Sequence, residues 1–148
     1  MSQERILSVR LIRGDSSLVQ WKRVEGKRLT ESDQMAVFVS QRAVGPVTIL
    51  ELGEQLKAEN VSEFRDTLQH LVEQGHRHLL LDCSRIRIVD SQGIGSLVGN
   101  WISIKKRGGK LGLLNPPVRL QDVLRIIGLQ RVIESFDDIG KALPSLAE

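Results

Sequence analysis

Apolar and polar positions alternate along the chain in a way that predicts short buried strands separated by amphipathic helices, with the clearest signal between Leu79 and Lys110. Leu79, Leu80 and Leu81 form an unbroken apolar run too short for a helix, as expected of a strand buried on both faces. Ile86, Ile88 and Val89 lead into the polar turn Asp90-Ser91-Gln92-Gly93-Ile94-Gly95. Beyond it, Ile94, Leu97, Val98, Trp101, Ile102 and Lys105 recur at steps of three and four, which predicts a helix with that face turned inward. Lys105, Lys106 and Arg107 suit the negative end of the helix, and Gly108 or Gly109 supplies its left-handed stop. Ser91 thus stands at a helix mouth, where its structural role is that of an N-cap worth about 1 kcal/mol.

The same helix carries Ser91, Gly95, Gly99 and Ser103 four residues apart, a ridge of minimal side chains along one edge. Glycine inside a helix costs about 1 kcal/mol relative to alanine, so two at this spacing call for a reason. Close packing on a neighbouring strand is one. A flat surface on which another protein rests, with Ser91 at its end, is the other, and the residue types leave both open.

Elsewhere the pattern predicts strands over residues 36–40 and 47–52, joined by residues 41–46 with Gly45-Pro46 marking the turn. Asn60 is expected to cap a helix, with Glu63 returning the bond. Val61, Phe64, Leu68, Leu71 and Val72 give that helix its buried stripe, and Gly75 ends it. Leu111, Leu113 and Leu114 predict another buried strand. Asn115-Pro116-Pro117 then opens a helix lined inside by Leu120, Val123, Leu124 and Ile127, and closed by Gly128-Leu129. Val132, Ile133 and Phe136 suit a last strand, and residues 138–143 a short closing helix. The fold class expected is an α/β sandwich with a mixed, largely parallel sheet, a hairpin at its start and about four helices.

Residues 1–34 are read as an extension to a domain spanning residues 35–148. Ile6, Val9, Leu11 and Ile12, the turn-like residues 14–17, then Leu18, Val19, Trp21 and Val24 suit a hairpin, which needs support from the main domain or a partner; a loosely held arm is the alternative. Met35 is a candidate natural start. Lys22, Arg23, Lys27 and Arg28 read as a solvated face.

Composition narrows the function. The chain has 148 residues, enough to bury a core without metal or disulfide staples. Its 21 basic and 18 acidic residues leave a net charge of only +3, which does not point to nucleic acid. A single cysteine, Cys83, follows the leucine strand and reads as a small core residue in a reducing compartment. No apolar run approaches the roughly 20 residues of a bilayer crossing, and the amino terminus lacks a signal-peptide core, so a cytoplasmic location with no membrane partner is expected.

Most catalytic chemistry lacks its residues. His70, His76 and His78 have no cysteine or carboxylate at ligand spacing, which disfavours a metal. Neither a phosphate-cradling lysine nor the dinucleotide glycine pattern accompanies Gly93-x-Gly95, so no cofactor is expected. Ser91 lacks the glycine two residues before it and any histidine downstream, as a hydrolase nucleophile would require. Asp82 lacks the acidic pair of a phosphate-accepting receiver. Asp82 and Asp90 read as turn caps, and the protein as a binding module rather than an enzyme.

The succession of a strand, Asp90-Ser91-x-Gly93-Ile94-Gly95, an amphipathic helix, Arg107-Gly108-Gly109-Lys110, a strand and Asn115-Pro116 resembles the STAS domain of bacterial anti-sigma factor antagonists. The likeness runs from about Met35 to Leu146. It implies a phosphoprotein that works by partner switching, in which Ser91 is phosphorylated by a serine kinase that is itself the anti-sigma factor, and restored by a serine phosphatase. It further implies that the unphosphorylated form binds that kinase and frees a sigma factor for transcription. Asp90, Gln92, Gly93, Gly95, Gly99, Asn100 and Ser103 fall on the partner side, as do Gly53 and Glu54, in a loop whose family counterpart is Gly-x-Leu-Asp. Gln92 departs from the small residue frequent there. A constitutive structural subunit of a transport or signalling complex is the other reading, and a homodimer is left open.

Overall fold

The computed structural model describes residues 8–13, 19–24 and 37–147, with side chains from Val37 onward. The expectations placed on Ile6, residues 14–17, Leu18, Lys27, Arg28, Met35 and Ala36, and on the side chains of Lys22 and Arg23, lie outside the described residues. Strands β1 (Ser8–Arg13) and β2 (Val19–Val24) pair antiparallel, with Leu11 opposite Trp21.

The next hairpin joins β3 (Phe38–Val44) to β4 (Val47–Leu52). Its first strand is longer than the apolar run predicts, because Gly45 takes φ +58 and lets the chain turn within two residues, pairing Val44 with Val47. β1 lies alongside β3. After β5 (Gln55–Leu56) comes helix α1 (Val61–Glu73), which buries Phe64, Thr67, Leu68, Leu71 and Val72 and stops before Gly75 at φ +98. Asn60 stands at the N-cap position as expected, but its side chain does not make the capping bond: its Oδ1 accepts the Lys57 N–H at 2.9 Å and its Nδ2 donates to the Gln55 carbonyl at 2.8 Å, so the side chain braces the turn before the helix.

The chain continues through β6 (His78–Asp82), β7 (Ile88–Val89), α2 (Ser91–Lys106), β8 (Lys110–Leu114), α3 (Val118–Ile126), β9 (Ser135–Phe136) and α4 (Ile139–Ala147). The main sheet has the order β3-β4-β6-β8-β9, antiparallel only between β3 and β4. Strand alternation divides the core in two. Leu79, Leu81, Leu111 and Leu113 pack with α1, α2 and α3, whereas Leu80, Val47, Ile49 and Leu114 pack with Ala142 and Leu146 of α4. This is the mixed, largely parallel α/β sandwich expected.

Three details differ from the sequence pattern. Ile127 is 49% exposed, so α3 is held by Leu120 and Leu124 with Val123 half-buried, and Leu129 donates back to the Leu124 carbonyl at 2.8 Å past Gly128 at φ +83. Val132 and Ile133 lie in a turn closed onto the Leu129 carbonyl, which shortens the last strand to two residues. The closing helix runs on to Ala147 through Pro144, because Ala142 and Leu146 continue its buried stripe.

Candidate functional site

The site is built where two short strands meet the start of α2. β5 and β7 pair in parallel, Leu56 against Val89, and the Glu54 carbonyl accepts the N–H groups of Arg87 and Ile88 at 2.8 and 3.1 Å. This pairing brings residues 56–58 beside Asp90, although they are more than thirty positions apart in the chain.

Asp90, not Ser91, caps α2. Its backbone is extended (φ −94, ψ −178), Oδ1 accepts the Gly93 N–H at 2.8 Å, and Oδ2 accepts the Ala58 N–H at 3.1 Å. One carboxylate therefore closes the helix's first turn and ties the 57–60 turn to it. Hydrogen bonding from Gly93, then from Ala58, holds its carboxyl below the usual carboxylate range, with the nearby Lys57 charge adding to the effect. Ser91 is the first helical residue; it is exposed, and among the described residues its hydroxyl has no hydrogen-bond partner.

The glycines separate into two kinds. A methyl on Gly93 would overlap the Leu56 carbonyl oxygen and come within 3.1 Å of Val89 Cγ1, so this glycine is buried and lets the helix seat on the β5–β7 pair. Methyls on Gly95 and Gly99 would meet nothing within 4 Å. These two are exposed, and close packing does not explain them. Ser91, Gly95, Gly99 and the half-buried Ser103 form an edge about 18 Å long at 1.5 Å per residue.

The inward face of α2 is rotated from the expected one. Gly93, Leu97, Asn100 and Ile104 are its buried residues, Ile94 and Trp101 pack partly against the core, and Ile102 (42% exposed) and Lys105 face outward. Asn100, expected on the partner side, is only 6% exposed and donates to the Ser96 carbonyl at 2.7 Å and to Ser96 Oγ at 3.2 Å. Gly53 is likewise buried, its N–H donating to the Val37 carbonyl at 2.8 Å, while Glu54 and Gln92 are exposed. The structure thus leaves Glu54, Ser91, Gln92, Gly95 and Gly99 exposed and Asp90 and Ser103 half-buried, and draws Gly53, Gly93 and Asn100 inside. It adds Lys57 and Ala58, whose proximity had no signal in sequence.

Other candidate chemistry falls away. Among the described residues no group of histidine, cysteine and carboxylate side chains is placed to hold a metal, and no helix is long and apolar enough to cross a membrane. His76 Nδ1 lies 3.0 Å from Thr48 Oγ1. Cys83 is buried, and burial pushes its thiol well above its ordinary pKa, so it is a core residue.

These features define a mixed α/β domain, a five-stranded main sheet with a separate β5–β7 pair, in which an exposed, unpartnered hydroxyl stands at the start of an open helix edge. Residues 39–142 match the STAS domain family, and the chain belongs to it. A Thermotoga neapolitana protein with a provisional anti-sigma factor antagonist name is 30% identical over 103 residues, covering 69% of this chain and 91% of its own. The anti-sigma F factor antagonist of Paenibacillus polymyxa is 25% identical over 103 residues, covering 68% of this chain and 86% of its own. The crystal structure of a Thermotoga maritima protein with the same provisional name superposes with a TM-score of 0.68 at 25% identity, over 74% of this chain and 94% of that one.

Proposed function

We propose that this protein is an anti-sigma factor antagonist whose partner lies on the open edge of α2 and whose binding is switched at Ser91. In this reading the unphosphorylated chain binds an anti-sigma factor that is also a serine kinase and thereby frees a sigma factor. Phosphate transferred from ATP to the Ser91 hydroxyl ends the association, a serine phosphatase restores it, and the cycle runs in the cytoplasm. In the same reading the STAS domain is assigned to residues 35–148, with residues 1–34 as an extension. The observation that carries the reading is the pairing of an exposed, unpartnered Ser91 hydroxyl with Gly95 and Gly99, whose missing side chains leave space that no part of the described fold fills. The names of the relatives supply the class of partner.

A phosphoserine brings about 1.5 to 2 negative charges and a bulky oxygen cluster. A loss of about 2.7 kcal/mol at the interface weakens association a hundredfold. The test is incubation with the kinase-type anti-sigma factor of the same cell and labelled ATP, followed by capture of that partner on immobilised protein. Ser91→Ala is expected to abolish labelling and retain capture, and Ser91→Asp to lose capture. Labelling that survives Ser91→Ala refutes the site. Capture indifferent to Ser91→Asp supports a constitutive subunit instead.

A further inference from the structure

The far end of α2 carries a charge concentration that the helix does not require. Lys105, Lys106 and Arg107 are exposed on its last turn. Arg77, from the loop before β6, lays its guanidinium across the same end: Nη1 donates to the Arg107 carbonyl at 2.9 Å and lies 3.5 Å from where a Gly108 side chain would begin. None of the four is in an ion pair among the described residues. The negative end of a helix supplies roughly half an elementary charge, so it offsets only a small part of four cations. Those four also exceed the net charge of the whole chain, +3, so the surplus is local.

We infer that Arg77, Lys105, Lys106 and Arg107 form a docking point for an acidic polypeptide segment. Ile102, 42% exposed and one turn back on the helix, gives the segment an apolar contact beside the charges. Nucleic acid fits less well: single strands are gripped by stacking on exposed aromatics, and among the described residues no aromatic side chain is exposed. A membrane surface fits less well too, since Ile102 alone offers little apolar area for insertion. Acidic side chains need only the charges, and attraction between exposed groups is strong within a Debye length of about 8 Å at physiological salt. The docking point stands roughly 24 Å from Ser91 along a helix of 16 residues, and its action does not depend on phosphorylation there.

The test uses the full chain and a fluorescent ten-residue polyglutamate peptide, read by anisotropy at low and physiological salt. A polyglutamine peptide, ten-nucleotide oligothymidylate and phosphatidylserine-containing vesicles serve as comparison probes. Saturable binding of polyglutamate is expected, weakening with salt. Binding should fall about tenfold in the triple variant Lys105→Gln, Lys106→Gln, Arg107→Gln, with helix content unchanged by circular dichroism, and should be retained by Ser91→Ala. The inference is overturned by absent binding at low salt, by undiminished binding in the triple variant, or by tighter binding of the oligonucleotide or the vesicles. Each of these outcomes leaves the Ser91 switch to stand or fall on its own labelling experiment.

Discussion

Replacing each α2 glycine by alanine separates the glycines that the fold needs from those that a partner needs. At Gly93 the added methyl would overlap the Leu56 carbonyl oxygen, with the carbonyl carbon 2.9 Å away and Val89 Cγ1 3.1 Å away. The obstacle is backbone that belongs to the β5–β7 pair, so relief requires the helix start to lift or the pair to part. Overpacking of this kind costs about 1–3 kcal/mol. The helical preference for alanine returns about 1 kcal/mol, leaving a net loss of up to about 2 kcal/mol. At Gly95 and Gly99 nothing lies within 4 Å, so the same substitution should stabilise by about 0.4–1 kcal/mol each. Urea unfolding of the three single variants reads these differences directly. Gly93→Ala is expected to lower the midpoint, and Gly95→Ala and Gly99→Ala to raise it while weakening capture of the anti-sigma partner. A stabilised Gly93→Ala, or Gly95→Ala and Gly99→Ala proteins that are less stable than the parent, would refute the division. Capture unchanged by both outer alanines would remove the open edge from the proposed interface.

Two further outcomes follow from the site and the core. Because the folded protein holds the Asp90 carboxyl below its ordinary range, the stabilisation it gives is complete above the unfolded pKa of about 4 and is lost as pH falls through the lower folded value. Urea midpoints of the parent and Asp90→Asn should therefore differ most near neutral pH and converge below about pH 4; parallel profiles would contradict the hydrogen-bonded carboxylate. Cys83, buried with its thiol pKa raised, should resist a thiol reagent at pH 8 and react only as urea unfolds the chain, so immediate labelling of the native protein would count against its placement.

The sheet was legible in sequence because its central strands are buried on both faces. Leu79-Leu80-Leu81 reads as a strand with or without knowledge of its neighbours, and Leu80 and Leu81 do point into different halves of the core. Helix ends were legible where glycine adopts a left-handed backbone, at Gly75, Gly108 and Gly128. The inner face of α2 was not. Hydrophobicity places Ile102 inward and the family resemblance places Asn100 on the partner side, yet the Asn100 amide donates within the helix to Ser96 and Gly93 leaves room for a neighbouring backbone, so both occupy buried positions. The pairing of β5 with β7 was invisible because two residues per strand show no periodicity. Without that pairing, neither Ala58 nor Lys57 could be placed beside Asp90. The far end of Phe38–Val44 was missed because Gln41 and Arg42 are polar residues on a stretch of strand that the core leaves largely uncovered.

The same local geometry explains how a phosphate at Ser91 could change partners without unfolding the domain. The favourable anion position at the start of α2 is already taken: the Asp90 carboxylate accepts the Gly93 N–H and reaches across to Ala58. A phosphoserine one residue on would stand beside a like charge, and the roughly half-unit positive end of the helix would not neutralise both. Ser91 is exposed, however, so water can solvate the added oxygens, while Gly93, Leu97 and Ile104 keep the helix seated from its opposite face. The free protein can bear the new charge at the surface. A partner covering Gly95 and Gly99 would strip that water away and would then have to supply cations of its own or dissociate. The cations this chain does carry in quantity on α2, Lys105, Lys106 and Arg107, sit at the other end of the helix, too far to serve. The asymmetry of α2, anionic at the switch and cationic only at its far end, therefore leaves a charge added at Ser91 to be met by water in the free protein and by nothing of this chain's own once that water is displaced.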